Sequence, residues 1–249
     1  MSDAAAPLLE QSASRPQVYL LDVEGTTSPI SLISEQLFPY ARRHLRTYLY
    51  EHAGDPDTNA DFALLLGENR AELANEVPRF ASFGDLDGAC DYLLWLMDRD
   101  RKSTALKSIQ GRIWRSGFEN RELKGAVFPD VPAALARWSQ KGRVAIYSSG
   151  SVEAQQLLFC HSTAGDLTGF ITSYFDTRTG PKTSPDSYRA IAAAMRVVPG
   201  ELLFISDLVR ELDSARQAGC HTRLSIREGN QPISENITHL PLHSFAELL

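Results

Sequence analysis

Four apolar runs rich in β-branched residues, at 17–22, 143–148, 202–206 and 222–226, constrain this chain more than any other feature. Each leads into a loop bearing Ser, Asp or Gly, and helical patterns lie between them. A strand buried on both faces reads as a near-continuous apolar run. Strands alternating with helices form a parallel sheet with helices on both faces. The expected fold class is α/β, with a Rossmann-like parallel sheet as the core.

The intervals are unequal. Between the first run and Phe128 lie about 100 residues with little strand character. Within them, segments 31–51, 59–76 and 86–117 carry apolar residues at helical spacing, as Tyr92, Leu93, Leu96 and Met97 do. A crossover to a parallel strand needs only about a dozen residues, so the excess reads as an inserted all-helical cap. The division expected is a flexible N-terminal tail at 1–16, a catalytic core at 17–30 and 126–249, and a helical cap at 31–125. A helix is expected from near Pro132 to near Gly142, since proline suits a first turn and glycine a stop.

Composition narrows the classes. At 43% hydrophobic and 22% charged residues, the chain resembles an ordinary soluble globular protein. Its net charge of −6 does not favour a nucleic-acid partner, which needs clustered Lys and Arg. Cys90, Cys160 and Cys220 are far apart, which argues against a zinc site or disulfide scaffold and fits a reducing, cytoplasmic setting. No stretch nears the roughly 18 apolar residues of a membrane span, and no basic segment followed by an apolar one opens the chain.

The ends of the strands carry the chemistry. The first offers Asp22, Glu24, Thr26 and Thr27 around Gly25. The second leads into Ser148-Ser149-Gly150-Ser151, whose N–H groups and following helix would suit a phosphate. Lys182 follows Gly180-Pro181, just before Ser184-Pro185 opens another helix. The last is Ser206-Asp207, with Arg210 and Glu211 one turn beyond. Each has a plain reading alone. Asp22 and Gly25 suit a turn, Ser148–Ser151 an N-cap, Lys182 a solvated loop, and Asp207 a cap for helix 208–218. Arg210 and Glu211 read as surface residues.

Taken together, the strand ends supply one phosphoryl-transfer site. Such a site needs neutralised equatorial oxygens and an in-line nucleophile. Asp22 and Asp207 would bind Mg²⁺ as hard oxygen ligands, with the main-chain carbonyl of Glu24 in the shell. Asp22 would attack phosphorus to form an aspartyl-phosphate. Lys182 would pair with the phosphate and with Asp22, while Ser148 or Ser149 donates to phosphate oxygens. Glu24 would protonate the leaving oxygen and then activate water.

In order, Asp22-x-Glu24-Gly-Thr-Thr, Tyr147-Ser-Ser-Gly-Ser-Val-Glu-Ala-Gln155, Lys182 and Ser206-Asp207 resemble the four motifs of haloacid-dehalogenase-like phosphatases. More narrowly, the chain is similar to the enolase-phosphatase E1 family of methionine salvage. Leu37-Phe-Pro-Tyr40, Asp100–Lys107 with Gln110-Gly111, and Gln156-Leu-Leu-Phe159 carry that narrower likeness. The resemblance covers roughly 17–230. It implies a monomer with one Mg²⁺ per subunit and a small phosphorylated diketone as substrate, enolised and then dephosphorylated to an acireductone. Most phosphatases of the superfamily carry Asp where this chain has Glu24, as the enolase-phosphatases do; the longer carboxylate would also shuttle a proton in enolisation. Pro181 before Lys182, and Cys160 where glycine is more usual, depart from the pattern.

The cap is expected to confer substrate choice. Lys102 and Lys107, about 140° apart on one helix, cannot both face a site unless the helix breaks. Either a carbonyl-polarising or a solvated role is open to each. Trp95, Trp114 and Phe118 suit an apolar pocket or simple core packing. Two other functions share part of this pattern: a phosphatase of the same superfamily acting on a sugar phosphate or nucleotide, and a non-enzymatic phospho-accepting module.

Overall fold

The computed structural model describes residues 16–82, 84–232 and 238–248. Apart from Pro16, the tail expected at 1–16 lies outside the described residues. The chain divides into two compact units. One runs through Thr27, Phe128–Ser149 and from Gly169 onward; the other comprises Ser28–Val127 and Gly150–Thr168.

The first unit is built on a six-stranded sheet whose pairs are all parallel. Its strands are β1 (Val18–Leu21), β2 (Arg143–Tyr147), β3 (Ser173–Phe175), β4 (Leu202–Ser206), β5 (His221–Ser225) and β6 (Pro241–Leu242). They lie in the order β3-β2-β1-β4-β5-β6. The order reverses between β1 and β4, and ligands bind outside the carboxyl ends of strands at such a switch point. The sheet is thus the expected Rossmann-like core, with two more strands than the apolar runs announce.

β1 is buried on both faces, as its composition requires. Val18 and Leu20 join a core with Tyr188, Ile191, Leu212 and Ala215, from α7 (Pro185–Ala194) and α8 (Val209–Gln217). On the other face Tyr19 stacks on Trp138 of α5 (Val131–Lys141), ring centroids 4.7 Å apart, and Trp138 meets Phe245 at 5.0 Å. Full burial of each such side chain is worth about 1.5–3 kcal/mol. With both faces covered, the strand's carboxyl end is rigidly placed.

The second unit is helical. A π-helical stretch, Leu32–Leu37, runs into α1 (Phe38–Glu51), followed by α2 (Pro56–Ala71), α3 (Leu86–Asp98), α4 (Thr104–Glu119) and α6 (Val152–Cys160). The helical segment read at 86–117 is therefore two helices. Asp100 takes a positive φ of 47°, and Ser103 caps α4 by accepting the Leu106 N–H. The segment read at 59–76 is α2, shifted toward Pro56, a residue suited to a first turn. No helix among the described residues is long and apolar enough to cross a membrane.

Candidate active site

β1 positions the nucleophile candidate. Register pairs Leu21 with Ile146 of β2 and with Ile205 of β4, so Asp22 follows at the end of the central strand. Its N–H donates to the Ile205 carbonyl at 3.0 Å, and the residue is 4% exposed. Asp22 Oδ1 accepts the Val23 N–H at 2.7 Å. Thr27 Oγ1 donates to the Asp22 carbonyl at 3.0 Å, closing the loop behind the carboxylate. Gly25 turns that loop with φ 67°, and a Cβ there would lie 2.5 Å from Asp207 Oδ2. Only glycine meets both conditions.

Lys182 is brought to the same point. Its Nζ lies 2.6 Å from Asp22 Oδ1 and 2.8 Å from Glu211 Oε2, with the side chain 6% exposed. Pro181 does not turn it outward, because three hydroxyls hold the successive carbonyls of its loop. Tyr147 donates to Gly180 O at 2.9 Å, Ser187 to Pro181 O at 2.8 Å, and Tyr188 to Lys182 O at 2.7 Å. Burial alone would lower the lysine's pKa; the Asp22 and Glu211 carboxylates outweigh it and hold the ammonium above its ordinary value.

Glu211 corrects the surface role read for it in the sequence. It is 5% exposed, and its Oε2 meets both Lys182 and the Ser206 hydroxyl, the latter at 3.0 Å. α8 starts only two residues after Asp207, so Glu211, four residues on, returns to the strand end. Asp207 does not cap α8: Leu208 is the N-cap residue, and the Leu208 N–H is taken by Ser206 Oγ. Arg210 is exposed, as read.

The acids outnumber the cation that serves them. Burial, then the nearby Asp22 and Glu211 charges, push Asp207 up to about 7, with Lys182 opposing. Burial and the Asp22 charge likewise raise Glu211, with Lys182 opposing. Glu24 is solvent-exposed as a residue, yet desolvation of its carboxyl in this crowd, followed by the Asp22 charge, raises it too. Excess buried negative charge at two carboxylates, with main-chain oxygens alongside, fits a hard divalent cation. No group of three His, Cys, Asp or Glu side chains among the described residues forms a ready metal cage. Mg²⁺ does not need one, since it takes one or two carboxylates and keeps several waters.

Ser148 and Ser149 follow β2, beside β1. Ser148 is buried and its N–H donates to Phe175 O at 3.2 Å; Ser149 is exposed. The helix cap nearby is Ser151, which accepts the Ala154 N–H at 3.2 Å, so neither Ser148 nor Ser149 fills that position.

In the helical unit, Trp95 and Phe118 are buried core residues, and Trp114 donates to the Leu37 carbonyl at 2.8 Å. A separate cavity of about 270 Å³ has Phe38, Leu96, Met97 and Leu106 among its walls, with Arg42 and Gln110. None of the three aromatic residues singled out in the sequence lines it. Lys102 precedes α4 and Lys107 lies within it; both are exposed.

Residues 16–219 match the family described as haloacid dehalogenase-like hydrolase, the class that this sheet order and strand-end acid site define. The enolase-phosphatase E1 of Synechococcus elongatus is 49% identical over 230 residues, 92% of this chain and 96% of that one. Its counterpart in Sorangium cellulosum is 45% identical over 221 residues, 88% and 92% of the two chains. The solved structure of the UTR4 protein of Saccharomyces cerevisiae aligns with a TM-score of 0.76 at 32% identity, covering 92% of this chain and 98% of that one. The chain belongs to the enolase-phosphatase E1 family of these hydrolases.

Proposed function

We propose that this chain is the bifunctional enolase-phosphatase of methionine salvage. It enolises 2,3-diketo-5-methylthiopentyl-1-phosphate and then removes the phosphate through an aspartyl-phosphate, giving 1,2-dihydroxy-3-keto-5-methylthiopentene. One observation carries the chemistry: the Asp22 carboxylate, at the end of the central strand, is paired at 2.6 Å with a buried lysine. Likeness to the enolase-phosphatases E1 over nine-tenths of the chain supports the choice of substrate.

Asp22 and Asp207, with the Glu24 main-chain carbonyl, would hold one Mg²⁺. When bound, it neutralises phosphate charge that would otherwise repel an incoming carboxylate. Every other role falls to side chains. In enolisation a proton leaves the carbon next to a carbonyl and another reaches the carbonyl oxygen; Glu24 shuttles it. Asp22 then attacks phosphorus, and the bond from phosphorus to the C1 oxygen breaks as Glu24 protonates that oxygen. A water next attacks the acyl-phosphate and gives its proton to Glu24, releasing phosphate and freeing Asp22. A carboxyl raised above its ordinary value, as Glu24 is, suits the acid half of this cycle. Lys182, Ser148 and Ser149 hold the phosphate oxygens.

The reading includes a monomer in the cytoplasm. Its cysteines support the second part, being free at Cys90, Cys160 and Cys220; gel filtration tests the first. The deciding assay supplies the diketone phosphate with Mg²⁺, following the enol by ultraviolet absorbance and phosphate by release. Both signals are expected. Release of phosphate from a sugar phosphate or nucleotide, with the diketone left unenolised, would assign the chain to another phosphatase activity.

A further inference from the structure

Behind the turn that carries Glu24 stands a loop no motif covers. β5 ends at Ser225, and the chain bends through Gly229, φ 87°, to Asn230. Asn230 Nδ2 donates to the Gly25 carbonyl at 3.0 Å and to the Ser225 carbonyl at 3.2 Å. Ser225 Oγ donates to the same Gly25 carbonyl at 3.1 Å. Two carbonyl acceptors fix which end of the amide is nitrogen, because only the NH₂ group can donate. Oδ1 is thereby turned the other way. It is buried and has no hydrogen-bond partner among the described residues.

The direction it faces is informative. A Cβ built on Gly25 would lie 2.7 Å from Asn230 Oδ1 and 2.5 Å from Asp207 Oδ2. The two oxygens therefore crowd the same side of Gly25. Two acceptors cannot satisfy each other, and a buried amide oxygen without a donor is costly. Mg²⁺ retains waters, each with protons to donate. Partners of that outer kind orient a metal's ligands, and removing one typically weakens metal binding about 10–100-fold.

We propose that Asn230 is a positioning residue of the cation site. Its Nδ2 locks the Gly25 carbonyl, and with it the turn presenting the Glu24 carbonyl; its Oδ1 takes a hydrogen bond from a water on the cation beside Asp207. This inference rests on the Mg²⁺ site proposed above. Titrating Mg²⁺ calorimetrically into the full chain, as wild type and as Asn230→Ala, tests it. Thermal unfolding of both proteins is recorded with Mg²⁺ and with EDTA. Asn230→Ala should bind Mg²⁺ about tenfold or more weakly, and the rise in unfolding midpoint that Mg²⁺ gives the wild type should shrink. A merely structural asparagine would lower both midpoints equally and leave the affinity unchanged, which overturns the proposal. Asn230→Ser, a milder change read the same way, serves if the alanine variant does not fold. A wild type that binds no Mg²⁺ overturns the cation site itself. Wild-type binding with an unaltered variant overturns only the role of Asn230.

Discussion

Lys182 Nζ and Asp22 Oδ1 are 2.6 Å apart, with both side chains 6% exposed, at the switch point of a parallel sheet. A buried ion pair of this kind is weak support for a fold, since desolvation offsets most of its attraction. Its place at a strand end where ligands bind, with the one ammonium set between Asp22 and Glu211, suits the phosphoryl-transfer site proposed above. The lysine comes from the loop after β3 and the aspartate from β1, so the pair forms only when the sheet has closed.

Lys182→Met removes the ammonium and leaves the Asp22 and Glu211 carboxylates buried without it. Breaking a buried pair from one side costs about 3–5 kcal/mol, and losing a phosphate-facing cation costs about 10²–10³-fold in rate. Calorimetric unfolding and steady-state phosphate release measure the two losses. A variant as active as wild type would remove Lys182 from the site.

Gly25→Ala should fail for two reasons. The left-handed conformation costs an alanine about 1–2 kcal/mol, and the new methyl would meet Asp207 Oδ2 at 2.5 Å and Asn230 Oδ1 at 2.7 Å. Both the unfolding midpoint and Mg²⁺ affinity are expected to fall. Gly54→Ala is the control, with nothing within 4 Å of its Cβ; its effect should stay within about 0.5 kcal/mol.

Glu24→Asp separates the two reactions. A carboxylate one methylene shorter still lies beside Asp22 but does not reach the carbon skeleton, so enolisation should fall further than dephosphorylation of the pre-formed enol phosphate. Following absorbance and phosphate release separately gives both rates. Wild-type values for both would end the proton-shuttle role.

Asp130 predicts acid sensitivity away from the site. Burial works to raise its pKa, but the Arg227 guanidinium and the hydrogen bonds from Phe245 N–H and Ser244 Oγ prevail and hold it below its ordinary value. An aspartate lowered on folding contributes stability that is fully present above its unfolded value of about 4 and is lost as pH falls through the folded value. Asp130→Asn should therefore cost about 1–3 kcal/mol near neutrality. The gap from wild type should close in strong acid, as a series of unfolding curves against pH will record.

Much of this architecture is legible in the sequence because β1, β2 and β4 are long enough to show apolar runs and end in acids or hydroxyls. β3 and β6 are three and two residues long, and their strand character comes from pairing with β2 and β5, not from any pattern of their own. The break between α3 and α4 falls in Arg99–Ser103, which holds neither proline nor glycine; its one local signal is the capping Ser103. Glu211 reads as a surface residue in a polar helix, and its spacing of four from Asp207 was the available sign of burial. Asn230 offers no sign at all, since its partner is Gly25, over two hundred positions earlier. Ser187 and Tyr188 escape notice for another reason, and Tyr147 is noticed only as the start of a motif: all three act on main-chain carbonyls of a loop whose path no motif describes.

The central claim is that Asp22 carries the phosphoryl group during turnover of the diketone phosphate. Acid-quenching the Mg²⁺-loaded enzyme in mid-reaction and mapping phosphorylated peptides by mass spectrometry tests it directly. The account predicts a labile phosphoryl group on the peptide containing Asp22, absent from an inactive Asp22→Asn variant. Steady turnover with no phosphorylated Asp22, or an Asp22→Asn variant that still releases phosphate at the wild-type rate, would contradict it.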